Sequence, residues 1–547
     1  MHSHASTWHD GGVAVVTTDG EIVALASERV GDRYKHQWNS GLAYRHLGEI
    51  DRYAGSFNGD HDYHIDNSTG LVASDHHFYH AASTFFGSGY DEAAVLVLDG
   101  QGELDGHLAT TTIWHGTGSD LRLVEELNPS SGLFAAESIG HFYTAVGALA
   151  GIRELYAEGK TMALAAYGRP SPLLDLLRRY ASTKADGTYS VAPRFVRAVL
   201  ANTLGREFFG WESVTPEDQA VWDEFVAARG GPPGDARHAV TQADMDMAYA
   251  GQTILEEIVL GLAVRAGRLT GATRLCLAGG VALNCVANGR VARHAGFDQV
   301  FVVPAPGDDG QAIGKVLVEI KRLGLPVDTT MHTAYYGPEY PASMVGEALH
   351  AVRSRVRFSR LDQDALLAEV VDRLDRGEVI GWYRGRSELG PRALGHRSIL
   401  ADPRRPDMRD HVNSAIKDRE WFRPLAPMVV QERVGEFFEL DQPSPFMTFA
   451  VPVRPEQRAV IPAVTHVDGT ARVQTVSREQ DEVCHRLLCR FAERTGVPVL
   501  LNTSFNRRDE PLVETPADAL MSFLAMPLDA LVIEDHLVTK RATGDRG

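Results

Sequence analysis

The chain has 547 residues and carries 54 Lys and Arg against 72 Asp and Glu, a formal net charge of −18. At roughly 150 residues per domain that length predicts two to four domains, and a hydrophobic share of 44% with 23% charged residues predicts folded cores rather than a disordered chain. The acidic balance argues against docking on nucleic acid or anionic membrane, and four irregularly spaced cysteines argue against a disulfide framework or paired CxxC zinc ligands.

Met1–Asp10 lacks the basic and apolar regions of a secretory signal, and no run of about 18 apolar residues stands out as a membrane span. A cytoplasmic enzyme is therefore expected. Val13–Val16 and Ile22–Ala26 flank Asp19-Gly20, the pattern of a β-hairpin. In Asp75-His76-His77-Phe78-Tyr79-His80, His76 and His80 stand one helical turn apart, so both imidazoles can face one ion. Imidazole suits borderline divalent metals, and carboxylates often complete such sites. Ala93–Leu98 reads as a buried strand ending in Asp99-Gly100-Gln101-Gly102, with a return strand at His107–Trp114. Strand, acidic residue, glycine and return strand thus occur twice, a faint internal duplication. Asp99, and Asp308 after a later strand, are candidate partners of the histidines, because open α/β sheets present ligands at strand C-termini. Packing histidines would show the same spacing.

Glu158-Gly159-Lys160-Thr161 stands before an Ala-rich helix, and Pro170–Pro233 carries no motif. Asp244–Leu269 is a long helical pattern. Leu275–Ala278 reads as a strand, followed by Gly279-Gly280 and a helix opening near Asn284. Glycine at such junctions lets phosphate or ribose approach the backbone, but neither stretch has P-loop or GxGxxG spacing, and tight turns explain them equally. Val300–Val303 is a strand that runs into Pro304–Gly310 and the helix Gln311–Arg322. Strands alternating with helices predict an α/β class with buried sheets. A composition shift over Gly324–Arg360, with Pro326, Pro338 and Pro341, marks the boundary between a first domain at 1–340 and a second at 355–547. In the second, Gln363–Arg376 is helical, and Val379–Trp382, Val497–Leu501 and Leu528–Ile533 read as strands.

The C-terminal half concentrates its cations among Gly, Pro and Trp. Trp382–Ser398 contains Arg392, Lys417–Pro424 contains Lys417 and Arg423, Ala471–Thr475 contains Arg472, and Asn502–Asn506 contains Ser504 and Asn506. Guanidinium forks bind phosphate bidentately, lysine adds a point charge, and Ser504 and Asn506 can hydrogen-bond a carbonyl or amide. The set fits a small acyl phosphate; a structural ion-pair network would use the same residues.

These stretches resemble the NodU/CmcH-type O-carbamoyltransferases over nearly the whole chain. The resemblance rests on Gly385–Ser398 (GxxELGPRALGxRS), Leu501–Asn506 (LNTSFN), Ala278–Asn284 (AGGVALN), His76–Ser83 (HHxxHAAS) and Asp99–Glu103 (DGQGE). It implies an actin-like first domain (the ASKHA, RNase H-like duplicated fold) and a YrdC-like α/β second domain. By the same resemblance, carbamoyl phosphate and ATP, with Mg2+, yield carbamoyl adenylate in the second domain. That reactive anhydride passes internally, shielded from water, to the first domain for transfer to a hydroxyl of a natural product in antibiotic-type biosynthesis. It places the metal, iron(II) or another divalent ion, on His76, His80, Asp99 and Asp308. Carbamoyl phosphate falls on Arg392, Lys417, Arg423, Arg472, Ser504 and Asn506. The nucleotide falls on Gln101, Gly159, Lys160, Gly279, Gly280 and Asn284.

His9 matches the family's acceptor-side base, a role that suits histidine, with Arg392, Lys417 and Arg423 as the other catalytic groups. The chain departs from the family in its polar Met1–Trp8 and in the short stretch holding His61, His64 and Asp66, where acceptor recognition is expected to differ. No nucleic-acid or membrane partner is expected, and a homodimer is compatible with the sequence. The rival reading, a tRNA threonylcarbamoyl-type enzyme, needs a basic tract the chain lacks. A zinc peptidase needs Glu where His77 stands.

Overall fold

The computed structural model describes residues 2–6, 11–17, 20–29, 53–57, 75–132, 134–205, 214–508 and 510–541. Contacts divide the chain into two compact units, one of Met1–Val72, Asp308–Val316 and Met331–Gly547, the other of Ala73–Gly307 and Leu317–Thr330.

The first unit opens with β1 (His2–Ser6), β2 (Gly11–Val16), β3 (Ile22–Ala26) and β4 (Tyr53–Phe57), in sheet order β3-β2-β1-β4. The expected hairpin is present, with Gly12 opposite Ala26 and Val16 opposite Ile22. Gly20 takes a φ of +89°, open to glycine at no steric cost; Asp19 lies outside the described residues.

The second unit is built on α1 (His76–Ser88), the antiparallel meander β5 (Glu92–Leu104), β6 (His107–Thr117) and β7 (Asp120–Leu127), and a small hairpin of β8 (Ala181–Thr183) and β9 (Tyr189–Val191). β10 (Arg274–Ala278) and β11 (Gln299–Val302) complete its main sheet, in order β11-β10-β5-β6-β7, with β10 parallel to both β5 and β11. β5 does not stop at Leu98. Its apolar run ends there, but main-chain pairing continues to Leu104 after the register slips between Leu98 and Gly102. Asp99 and Gln101 therefore stand on an irregularity within a strand, a device that re-aims side chains beside functional sites.

Around the sheet lie α2 (Ile139–Leu149), capped by the Ser138 hydroxyl, and α3 (Glu158–Ala165). The motif-poor segment folds as helices Pro172–Arg178, Pro193–Leu200 and Pro216–Ala228, each with proline in its first turn, where its missing N–H costs nothing. Lys160 lies inside α3 rather than before a helix, because Glu158 already occupies the first turn, where a negative charge favours helix initiation. α4 (Gln242–Thr270) begins at a Thr241/Asp244 capping box and ends at left-handed Gly271. Among the described residues it alone has the length and mean hydropathy of a membrane span, although Glu256 and Glu257 interrupt its apolar run. Met247, Ile254, Ile258 and Leu262 bury that apolarity within the unit. α5 (Cys285–His294) and α6 (Gln311–Leu323) follow.

The remainder of the first unit is an eight-stranded mixed sheet. Its strands are β12 (Val356–Arg360), β13 (Ile380–Tyr383), β14 (Arg397–Ala401), β15 (Ala426–Val430), β18 (Gln474–Val476), β19 (Val499–Ser504), β20 (Ala530–Ile533) and β21 (His536–Lys540), in order β12-β21-β20-β13-β14-β19-β15-β18; β16 (Ala450–Pro452) and β17 (Thr470–Arg472) pair separately. On one face α7 (Gln363–Asp375) and α8 (Glu482–Thr495) bury Leu367, Val370, Leu374, Leu487 and Phe491 against Trp382, Leu500 and Val532. The expected strands of this half lie within about three residues of those observed, inside the usual margin for boundaries read from sequence.

Candidate active site

Helix α1 presents His76 and His80 on one buried face. Their Nε2 atoms are 3.1 Å apart, and Asp99 Oδ2 lies 2.9 Å from His76 Nε2 and 3.7 Å from His80 Nε2. Gly280 N–H donates to Asp99 Oδ1 at 2.9 Å, so one carboxylate oxygen is tethered while the other faces the imidazoles. The Ser138 hydroxyl donates to the Asp99 carbonyl at 2.9 Å, locking the irregular strand to the start of α2. Two glycines make this geometry available. A Cβ at Gly102 would overlap the His76 ring, and one at Gly279, whose φ is +87°, would overlap the Leu98 carbonyl. Asp308 completes the set: one ligand atom from each of His76, His80, Asp99 and Asp308 lies within 4.8 Å of every other. Gln311 donates to Asp308 Oδ1 at 3.2 Å. Lys315 is buried and its pKa is pulled down to about 7 by that burial, which Asp308 opposes. His77 has another job. Burial, then His76, hold its pKa down to about 3, and its Nδ1 pairs with Thr112 Oγ1 at 3.0 Å.

The residues matched to a nucleotide are tied into the fold in different ways. Gln101 Oε1 accepts Ala135 N–H at 3.0 Å. Lys160 pairs with Glu154, and a Cβ at Gly159 would meet only open space. Asn284 caps α5 and exchanges two amide hydrogen bonds, at 2.9 and 3.0 Å, with Gln252.

In the eight-stranded sheet, the Gly385–Ser398 segment is a loop stapled from within. Glu388 Oε1 accepts the N–H groups of Leu394, His396 and Arg397 at 2.7, 2.9 and 3.1 Å. The fully buried Arg397 donates to the Arg384 and Gly385 carbonyls and lies 3.8 Å over the Tyr383 ring. Gln474 donates to the Leu394 carbonyl at 2.6 Å, and Asn502 donates to Gln474 Oε1 at 2.8 Å and the Ala393 carbonyl at 3.2 Å. These groups are spent on loop shape, and the half-buried Arg392 is carried on it.

Across the β14–β19 pairing, Ser398 stands opposite Ser504. Lys417, 4% exposed, follows a π-turn at His411–Ile416 and donates to the Ser504 carbonyl at 2.7 Å, Ser504 Oγ at 3.3 Å, the Asn506 carbonyl at 2.7 Å and Asn506 Oδ1. The structure thus brings together Lys417, Ser504 and Asn506. A second group forms around Arg419, whose pKa is drawn down to about 9 by burial, then by the like charges of Arg423 and Arg472, with Glu420 opposing. Arg419 is anchored through Nε to Asn413 Oδ1 at 2.7 Å, and Arg423 Nε lies 3.3 Å from Glu420 Oε2. Like charges acting on a guanidinium disfavour its charged form, and an anion nearby would offset them. Sequence reasoning named Arg423 and Arg472 but missed Arg419; its place in Lys417–Pro424 was the available signal. His9, His61, His64 and Asp66 lie outside the described residues.

Family models described as carbamoyltransferase N-terminus and carbamoyltransferase C-terminus match residues 59–317 and 371–540. Nodulation protein NolNO of Sinorhizobium fredii is 34% identical, over 97% of this chain and 79% of its own length. Nodulation protein NolO of Bradyrhizobium diazoefficiens is 38% identical, over 85% and 79%. The uncharacterized protein sll1178 of Synechocystis sp. is also 38% identical, over 87% and 77%.

Proposed function

The chain belongs to the carbamoyltransferase family and is a carbamoyltransferase, and from that premise we propose that it uses carbamoyl phosphate and ATP to carbamoylate a hydroxyl of a small natural product, of the antibiotic type. Carbamoyl phosphate and water give carbamate and inorganic phosphate. A carbamate oxygen then attacks the α-phosphorus of ATP, releasing pyrophosphate and forming carbamoyl adenylate. The acceptor hydroxyl attacks the carbamoyl carbon, AMP leaves with the bonding pair, and a base removes the hydroxyl proton.

The observation that carries this reading is a cation set around the buried Lys417, which is held against the end of β19. Lys417, braced by Ser504 and Asn506, and Arg419, anchored to Asn413, are held in place before any substrate arrives, with the charges of Arg423 and Arg472 acting on Arg419. Charge held in place where phosphate develops negative charge needs no reorganisation during reaction. Arg392, on its stapled loop, adds a bidentate fork, and Ser504 and Asn506 offer hydrogen bonds to the carbamoyl group. The actin-like and YrdC-like assignments of the two domains belong to the same reading.

Two imidazoles and two carboxylates fit a borderline divalent ion, iron(II) among them. Such an ion, held by His76, His80, Asp99 and Asp308, would supply Lewis acidity toward the acyl group. The Gly280 N–H and the glycine at 102 orient the ligands beforehand. Gln101, Gly159, Lys160, Gly279, Gly280 and Asn284 are proposed for the nucleotide, which arrives with Mg2+, and His9 for the acceptor proton.

The test is to incubate the protein with carbamoyl phosphate, ATP and a panel of hydroxylated natural products. Mass spectrometry should find a product bearing one carbamoyl group in place of hydrogen. Arg392→Ala should stop phosphate and pyrophosphate release, whereas Asp308→Ala should spare that release and stop product. Failure of both variants at the same step would refute the division of labour.

A further inference from the structure

Arg29 ends the short 3₁₀ turn that follows β3, in a polar stretch with no motif, yet it is 2% exposed. Its Nη2 donates to the carbonyl of Gly390 at 2.7 Å. Among the described residues its charge is poorly compensated. Glu514 Oε2 lies 3.7 Å from Nη1 and Glu28 Oε1 lies 3.9 Å from Nε. Among the described residues, Nε and Nη1 find no hydrogen-bond acceptor. A buried guanidinium held this loosely is a poor device for stability, since its desolvation is hardly offset.

What it does secure is specific. Gly390 precedes Pro391 and Arg392. The staples of the loop land beyond this stretch, Glu388 on Leu394–Arg397 and Gln474 and Asn502 on Leu394 and Ala393, while before it the Ser387 carbonyl accepts Gly337 N–H. Between them, Leu389 N–H donates to the Ala334 carbonyl at 2.7 Å, and Pro391 has no N–H to give. Gly390 itself has a φ of +89°, a conformation that glycine enters and leaves without steric cost. The Arg29 bond therefore fixes the carbonyl of a positive-φ glycine two residues before Arg392.

The base of Arg29 is itself anchored. Ala24 of β3 donates to the Tyr336 carbonyl at 2.6 Å, and Arg386 donates to the carbonyls of Ile22 and Gly337 at 3.0 and 2.8 Å. β3 and the loop are thereby stitched together, and Arg29 spans from one to the other.

We infer that Arg29 is a positioning residue for carbamoyl phosphate: it acts through the Gly390 carbonyl to hold Arg392 in its binding geometry. This rests on the proposed role of Arg392. The test uses the full chain and measures phosphate and pyrophosphate release while carbamoyl phosphate and ATP are varied separately. Arg29→Met keeps the apolar stem and removes the donors; it should raise the KM for carbamoyl phosphate about tenfold or more and leave the KM for ATP within about twofold. Arg29→Lys, which retains one donor for the carbonyl, should give a smaller rise, about two- to fivefold.

A carbamoyl phosphate KM within about twofold of wild type in both variants, or equal rises for both substrates, would overturn the inference. Should the Met variant not fold, the Lys variant is read by the same criterion. A wild-type protein that releases no pyrophosphate from carbamoyl phosphate and ATP would refute the proposed function itself. Wild-type activity with unshifted variants would remove only the role of Arg29.

Discussion

Lys417→Met separates binding chemistry from stability. The ammonium contacts two main-chain carbonyls, Ser504 O and Asn506 O, at 2.7 Å each, together with two side-chain oxygens. Hydrogen bonds from a charged donor contribute about 1.5–3 kcal/mol each, so losing the two carbonyl bonds removes roughly 3–6 kcal/mol. Sparing the buried ammonium its desolvation returns several kcal/mol, and the methionine stem keeps the packing. The net loss is about 2 kcal/mol, a fraction of the roughly 5–15 kcal/mol typical of a folded protein.

At roughly 2–4 °C per kcal/mol, the melting transition should fall by about 4–8 °C and leave the variant folded at 25 °C. Phosphate release from carbamoyl phosphate should fall much further, by about 10²–10³ in kcat, the cost of removing one preorganised charge from a developing anion. Thermal melts and phosphate release at 25 °C, on the same preparation, read the two effects independently. A variant that melts lower but keeps more than about a tenth of the wild-type rate would refute the electrostatic argument and leave Lys417 as a structural strut.

Gly102→Ala should drive a methyl group into the His76 ring, lowering stability by about 1–3 kcal/mol and reducing bound metal, measured by denaturant titration and elemental analysis. His80→Ala should likewise lower metal content and stop delivery to the acceptor, with phosphate and pyrophosphate release retained; loss of both would contradict the assignment. Arg419 has a folded-state pKa below its unfolded value, so its charge opposes folding at neutral pH, and that penalty is relieved as pH rises through about 9. Melts between about pH 8 and pH 10 should therefore show wild type gaining stability relative to Arg419→Met, and inorganic phosphate should stabilise wild type more than the variant. A pH-independent difference would exclude the like-charge crowding.

The sequence displayed the ligands more clearly than the framework that holds them. The His76–His80 spacing and the acidic residue after Leu98 were legible because helical period and strand apolarity are local properties. That β5 continues past Asp99 was not legible, since the slip of register depends on main-chain pairing with β6 and on the Gly280 N–H from a segment 181 residues away. In the second half, the arginine- and glycine-rich segments announced an anion site, but not which cations face it. Arg397 and Glu388 resemble Arg392 in their surroundings in the sequence and serve only to shape the loop. Arg419 is not distinguishable in Lys417–Pro424 by sequence, because the charges of Arg423 and the distant Arg472 act on it only in the folded chain. α4 shows the converse limit: an apolarity that reads poorly in the chain becomes a buried helical face once folded.

The two sites solve the same electrostatic problem by opposite means. At Asp99 and its histidines, neutral or anionic donors converge within 4.8 Å, an arrangement whose lone pairs are reconciled by a cation. At Arg419, burial and the like charges of Arg423 and Arg472 oppose the charged form, a penalty that a bound anion would offset. In the proposed function each grouping is one whose electrostatic cost a bound ligand would lower. The surrounding fold must therefore over-determine both. It does so with main-chain hydrogen bonds and obligatory glycines at the first site, and with a stapled loop and a braced lysine at the second. On the proposed reading, an acidic protein in this way keeps a locally cationic site for a small phosphate while its net charge of −18 repels larger polyanions.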